Sequence, residues 1–314
     1  PPKRVVVVGG GPAGMESARR LRAKGQEAIL LEAGARLGGT LRFASLAYPA
    51  NERLLDWLQR QVAESGAEVR LNTPATPELL RSLRPDAVIV ATGARRGMPP
   101  IPGGDLPNVL SGDDMRKMML GESSEELKRK TSLATRLATK LGAATGLTAN
   151  LDFVRKATRQ WMPLGDHVVI VGGELVGLEL AEFLIERGRT VTVVDDAPRF
   201  GAGLTVVRRM RLLDELREHG VAMFPSASDI RIEPGFVSFT DAVGEARQPR
   251  ADHVIVAKGA TADEALADAL RAEGFAVQAI GDCTGVSYIE GAMRGAAGAV
   301  EAILSPQPAT AMAG

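Results

Sequence analysis

The chain has 314 residues, 45% apolar and 24% charged, with 38 basic and 38 acidic side chains. That length suits about two domains of ordinary size, and the composition excludes a disordered chain. A formal net charge of zero excludes a global field for nucleic acid or anionic lipid, and no apolar run approaches the roughly 18 residues of a membrane helix, so a cytoplasmic location with no nucleic-acid and no membrane partner is expected.

One cysteine, Cys283, leaves no internal disulfide and no Cys-x-x-Cys pair, and it falls short of the roughly four thiolates an iron–sulfur cluster needs. His167, His219 and His253 stand at unrelated positions and read as surface or strand-edge residues rather than metal ligands. No metal site and no covalent catalytic residue is expected.

In chain order the first elements form a βαβ unit. A strand over Arg4 to Val8 leads into a glycine turn, a helix runs from Ala13 to Ala23, and a second strand follows from Glu27 to Leu31. The turn reads Gly9-Gly10-Gly11-Pro12-Ala13-Gly14. In such a turn the first glycine permits the bend, the second lets backbone approach a pyrophosphate, and the third lets helix and strand pack closely. The phosphate then sits on the positive helix end. Glu32, 23 positions after Gly9, is placed to accept from a ribose hydroxyl. Ala33 and Arg36 follow it, and Gly38-Gly39 with Thr40 and Leu41 forms a second flexible turn. The run Ala87 to Ala94 supplies the domain's last strand, with Ala91, Thr92 and Gly93 as small residues near the nucleotide.

Residues 116 to 160 carry ten Lys or Arg against four acids, a net of +6, with Leu127, Leu133, Leu137 and Leu141 at helical spacing. They predict a packed helical insertion with a solvated basic face, or a docking surface for a partner or an acidic substrate.

The opening motif then recurs. Val168-Val169-Ile170-Val171-Gly172-Gly173-Glu174-Leu175-Val176-Gly177 repeats it, a helix is predicted over Leu178 to Arg187, and Asp195, Arg199 and Gly201 match Glu32, Arg36 and Gly38 at the same offsets. His253 to Ala260 matches Ala87 to Ala94. Two nucleotide sites of one architecture follow, and Glu174 alters the second by setting bulk and charge where a pyrophosphate needs bare backbone. Either the turn shifts or Glu174 swings outward and NADH still binds, or Glu174 sits on the helix end as a built-in anion and the domain is a relic or holds only an adenine nucleotide such as ADP. Asp195 and Asp196 oppose a 2′-phosphate, so a working site prefers NADH.

A last strand, Ala276 to Ile280, leads into Gly281-Asp282-Cys283 and a helix from Ile289 to Ile303, with Tyr288 at its start. Asp282 is expected to bond a ribityl hydroxyl, which favours FAD in the first site, and the helix end at Tyr288 and Ile289 favours negative charge on a reduced ring. The alternative for Asp282 is a helix cap. Cys283 reads as a packed small hydrophobe. Trp57 and Trp161 read as core or interface residues.

These motifs together resemble the FAD/NAD(P)-binding half of the old-yellow-enzyme-like flavoenzymes, the group of 2,4-dienoyl-CoA reductase, 2-enoate reductase and trimethylamine dehydrogenase. The resemblance implies an α/β fold of two Rossmann-like three-layer nucleotide-binding domains, glutathione-reductase-like, with a helical insertion. The expected domains are residues 1–112 plus 272–314 for FAD, 113–164 for the insertion and 165–271 for NAD(P) or ADP. It also implies a flavin-dependent oxidoreductase that relays electrons between NADH and an FMN/4Fe-4S TIM-barrel partner. The chain is then expected to be a fragment or subunit of a larger enzyme. Two rivals stand beside it. One is an amine or N-methyl dehydrogenase domain passing electrons to electron-transfer flavoprotein, and the other is a non-catalytic assembly scaffold.

Overall fold

A computed structural model describes residues 1–122, 125–131, 135 and 150–305. Leu133, Leu137 and Leu141 of the predicted insertion, and the tail after Ser305, lie outside the described residues. The chain begins β1 (Arg4–Val8), α1 (Pro12–Ala23), β2 (Glu27–Leu31), α2 (Thr40–Ala47), α3 (Glu52–Ser65), β3 (Glu68–Arg70), α4 (Pro77–Leu83), β4 (Ala87–Val90) and β5 (Arg95–Arg96). The middle holds β6 (Val109–Ser111), α5 (Gly112–Leu120), α6 (Glu125–Lys130), α7 (Leu151–Gln160), β7 (His167–Val171), α8 (Leu175–Ile185), β8 (Thr190–Val194), α9 (Val206–Glu218) and β9 (Ala222–Phe224). Then come β10 (Ser228–Glu233), β11 (Phe236–Thr240), β12 (Ala246–Arg247), β13 (His253–Val256), β14 (Ala260–Thr261), α10 (Ala265–Ala272), β15 (Val277–Ala279) and α11 (Tyr288–Leu304).

Two compact units result. The first comprises Pro1–Leu41, Arg53–Arg95 and Thr261–Gly314, and the second Arg42–Glu52 and Arg96–Ala260. The first unit is built on a parallel sheet of order β15-β4-β1-β2-β3. Val5 to Val8 are at most 5% exposed, because a parallel strand covered on both faces must be apolar along its whole length. The core on one face joins Val6, Val88 and Leu80 to Ala267 and Leu270 of α10. That contact draws residues 261–271 into the first unit.

The second unit repeats the plan, with the parallel order β6-β13-β7-β8-β9. Val8 pairs with Val90 in one sheet and Val171 with Val256 in the other, so the two copies run in one register. Each central strand lies between two neighbours reached in opposite directions, the switch point where nucleotides bind in open parallel sheets. The strand β6 belongs here and does for this sheet what β15 does for the first. The chain from Arg96 to Ser111 lies in the second unit, whereas the expected boundary fell at residue 112.

An antiparallel meander, β10-β11-β12, was not anticipated. It covers one face of the second sheet through Ile232, Val237 and Phe239, and Phe239 meets Phe224 edge-on at 5.0 Å between centroids. In the region 113–164 the described helices are α5, α6 and α7. Several of its cations are paired: Arg116 with Asp113 and Glu122, Lys117 with Asp113, Lys130 with Asp114, and Arg155 with Glu52 and Asp152. No helix among the described residues is long and apolar enough to cross a membrane.

Candidate nucleotide-binding sites

The first site lies at the carboxyl end of β1. Gly9 takes φ +106°, and a Cβ there would stand 2.4 Å from the carbonyl oxygen of Ala91, so only glycine passes this bend. A Cβ on Gly14 would lie 1.8 Å from the carbonyl oxygen of Gly9, which is the close helix–strand approach predicted for the third glycine. Gly11 differs from both. It caps α1 at φ −74° and ψ −175°, a conformation open to any residue, and a Cβ on it would meet nothing within 4 Å. Its bareness serves no contact within the protein and leaves a cradle at the helix end. Pro12 follows at the first helical position, where its missing N–H costs nothing.

The acid and the second turn close on this bend. Glu32 accepts from the Gly10 N–H at 2.7 Å and from the Gly34 N–H at 2.6 Å, which leaves about half of its lone-pair sites for a ligand. The Gly38 N–H donates to the Gly10 carbonyl at 2.8 Å, and Gly39, at φ +51°, is packed so that a Cβ would lie 3.1 Å from Gly11 Cα. Thr40 and Leu41 open α2, with Leu41 buried. Ala33, Arg36 and Thr92 are exposed, and Gly93 takes φ +78°.

From the far end of the sequence, Gly281 at φ +70° lies against α1, where a Cβ would be 3.3 Å from Ala13 Cβ. Asp282 thereby reaches the same end of the sheet. Its Oδ1 accepts from the Ser287 and Tyr288 N–H groups at 2.9 and 3.1 Å, so the carboxylate does cap α11. Its Oδ2 takes no hydrogen bond from the described residues. Tyr288 begins α11 at φ +59°, a left-handed conformation unusual for a tyrosine, with Ile289 half-buried behind it. Cys283 is fully buried, and burial pushes its thiol pKa up, as befits a packing residue.

The second site repeats the bend almost atom for atom. Gly172 takes φ +119°, a Cβ on Gly177 would lie 1.9 Å from the Gly172 carbonyl oxygen, and the Gly201 N–H donates to the Gly173 carbonyl at 2.7 Å. Glu174 caps α8 at φ −77° and ψ −173°, within 3° of Gly11 in each angle. The turn has not shifted. Glu174 is exposed and makes no side-chain bond to the helix end, so it does not cap α8 through its carboxylate. The α8 helix begins at Leu175 rather than at Leu178, and the Leu175 N–H donates to the Ala202 carbonyl at 3.0 Å.

Asp195 repeats the two bonds of Glu32, accepting from Gly173 N–H at 2.5 Å and Ala197 N–H at 3.0 Å. A third partner is new. Lys258 Nζ lies 2.6 Å from Asp195 Oδ1 and also pairs with Asp196. Burial lowers the Lys258 pKa, but the bonds to both aspartates outweigh it and the net shift is upward, while the Lys258 bond holds Asp196 below the usual carboxylate range. Sequence reasoning passed over Lys258, although the matched runs already set it opposite Thr92. It also missed Glu179 of α8, whose pKa burial pushes up to about 7. Trp161 is half exposed and not a core residue, while Arg19 stacks over Trp57 at 5.2 Å. Among the described residues no cluster suits a metal ion.

Two parallel sheets, each with a glycine bend and an acid at the end of the next strand, define an α/β protein with two bends of the dinucleotide-binding type. Residues 3–284 match the model for pyridine nucleotide-disulphide oxidoreductases, and the chain belongs to that family. It is 32% identical over 283 residues to the bilirubin reductase of Mediterraneibacter gnavus, covering 90% of this chain and 37% of that protein. It is 29% identical over 291 residues to the NADH oxidase of Thermoanaerobacter brockii, covering 91% and 39%. The solved structure of 2-naphthoyl-CoA reductase with 2-naphthoyl-CoA superposes with a TM-score of 0.73 at 25% identity, over 94% of this chain and 39% of that one. These relatives bear out the resemblance to old-yellow-enzyme-like flavoenzymes, of which the chain spans less than half the length.

Proposed function

We propose that this chain binds FAD at the first bend and NADH at the second, and relays electrons from NADH toward an FMN/4Fe-4S barrel portion or subunit. The carrying observation is that the altered turn keeps the backbone of the unaltered one, φ −77° and ψ −173° against −74° and −175°, with the Glu174 side chain exposed and not bonded to the helix end. An intact anion seat at α8 is what a working nucleotide site needs. The NADH oxidase relative supports a pyridine nucleotide as reductant.

In this reading Gly9, Gly11 and Gly14 shape the seat, Glu32 takes the adenosine ribose, Gly38, Gly39 and Thr92 line the seat, and Asp282 offers Oδ2 to the ribityl chain. The residues present fit the group: the cradle at Gly11 is open and both carboxylates keep acceptor sites. Bound FAD supplies hydride acceptance and single-electron delivery. Gly172 and Gly177 shape the second seat, and Glu174 and Asp195 border it. The N-terminus of α11, fixed by Asp282, favours negative charge beside it.

Anaerobic addition of NADH to the flavin-loaded protein tests this. Bleaching of the flavin absorbance by NADH and much less by NADPH is expected, and a bound flavin indifferent to both refutes the relay. One observation favours a second reading. Lys258 is paired with Asp195, and a glutamate stands where the first copy has Gly11, as suits an amine-dehydrogenase-type domain that holds FAD or ADP, does not use NADH and passes electrons to electron-transfer flavoprotein.

A further inference from the structure

The two ribose acids are equivalent in the fold and unequal in what they have left to offer. Glu32 accepts two backbone N–H bonds and is half-buried. Asp195 accepts the same two and the Lys258 ammonium besides, with its side chain 1% exposed. A carboxylate so enclosed has no face for a ribose. Its neighbour Asp196 is 73% exposed, and Lys258 pairs with it too. The stem of Lys258 packs on the first glycine of the turn, where a Cβ on Gly172 would lie 2.9 Å from Lys258 Cγ, so the ammonium is held beside the bend. In the first copy this position is Thr92, which carries no charge.

A ribose diol both donates and accepts hydrogen bonds. The Asp196 carboxylate accepts, and Lys258 has three N–H donors, two of them committed to Asp195 and Asp196. We propose that Asp196 and Lys258 together read the ribose of NADH in the second site, with Lys258 the specificity-determining residue and Asp195 a buried anchor of the turn. The three groups sum to one negative charge. A 2′-phosphate therefore meets net repulsion, and the single cation is already shared between two carboxylates. This inference rests on the proposed NADH site and assigns its reader.

The test uses the flavin-loaded protein and titrations of NADH and NADPH followed by nucleotide fluorescence. Asp196→Ser should move the NADH-to-NADPH affinity ratio about tenfold toward NADPH, and Lys258→Thr should weaken NADH about fivefold and also lower the melting temperature, because Asp195 loses its cation. Asp195→Asn should lower the melting temperature and change the ratio less than about threefold. NADH should also protect Lys258 from reductive methylation, read by mass spectrometry. Binding of NADH that leaves Lys258 fully methylated, or a ratio that responds to Asp195→Asn and not to Asp196→Ser, overturns the inference alone. A protein that binds neither nucleotide overturns the NADH site and this inference with it.

Discussion

At the scale of single residues, Gly11 and Glu174 form a substitution experiment already present in the chain. Both cap their helices in the same extended conformation, so the turn itself tolerates a side chain. Gly11→Glu should therefore fold with a nearly unchanged melting temperature while its flavin content falls about tenfold or more, because a carboxylate now faces a pyrophosphate. The reverse change, Glu174→Gly, should tighten NADH about threefold to tenfold in fluorescence titrations. Glu179 makes a different prediction. Burial raises its pKa from 4.5 to about 7, so the native state binds the proton more tightly than the unfolded chain does. Stability from this group is full below about pH 4.5 and is lost as pH rises toward 7 and above. Glu179→Gln should flatten denaturation midpoints across that window and raise stability at pH 8 by on the order of 3 kcal/mol. The glycines and Glu32 were legible because their spacing encodes a backbone demand. Lys258 and Glu179 were not, since an ion pair to a residue 63 positions away and a buried carboxylate have no local pattern.

Among elements, the bend and the helix after it act as one device. Gly14→Ala should push α1 off β1, since its Cβ would lie 1.8 Å from the Gly9 carbonyl oxygen, and cost about 2 kcal/mol or more in chemical denaturation. Asp282 performs the cap that the sequence set out as one alternative, through Oδ1, and its Oδ2 takes no hydrogen bond from the described residues. Asp282→Asn preserves the cap acceptor and should change stability little, whereas Asp282→Ala should cost about 1 kcal/mol; both should weaken flavin retention on a desalting column. The βαβ units were legible from apolar runs that end in glycine. The β10 to β12 meander was not, because alternating short strands between turns carry a weaker signal than a buried parallel strand.

For the whole molecule, duplication explains why the architecture could be read from one repeat. The two sheets share order and register, and each has its switch point at the same place. What the repeat did not disclose is where each sheet finds its fifth strand, because β6 and β15 share no motif and occupy opposite places relative to their copies. That asymmetry has a temporal meaning. As the polypeptide leaves the ribosome, every strand of the second sheet emerges before β15 does. The earlier sheet waits, unfinished along one border, until residues 277–279 arrive. Capture of the flavin, which on this account needs Asp282, thus comes after every strand of the second sheet has emerged.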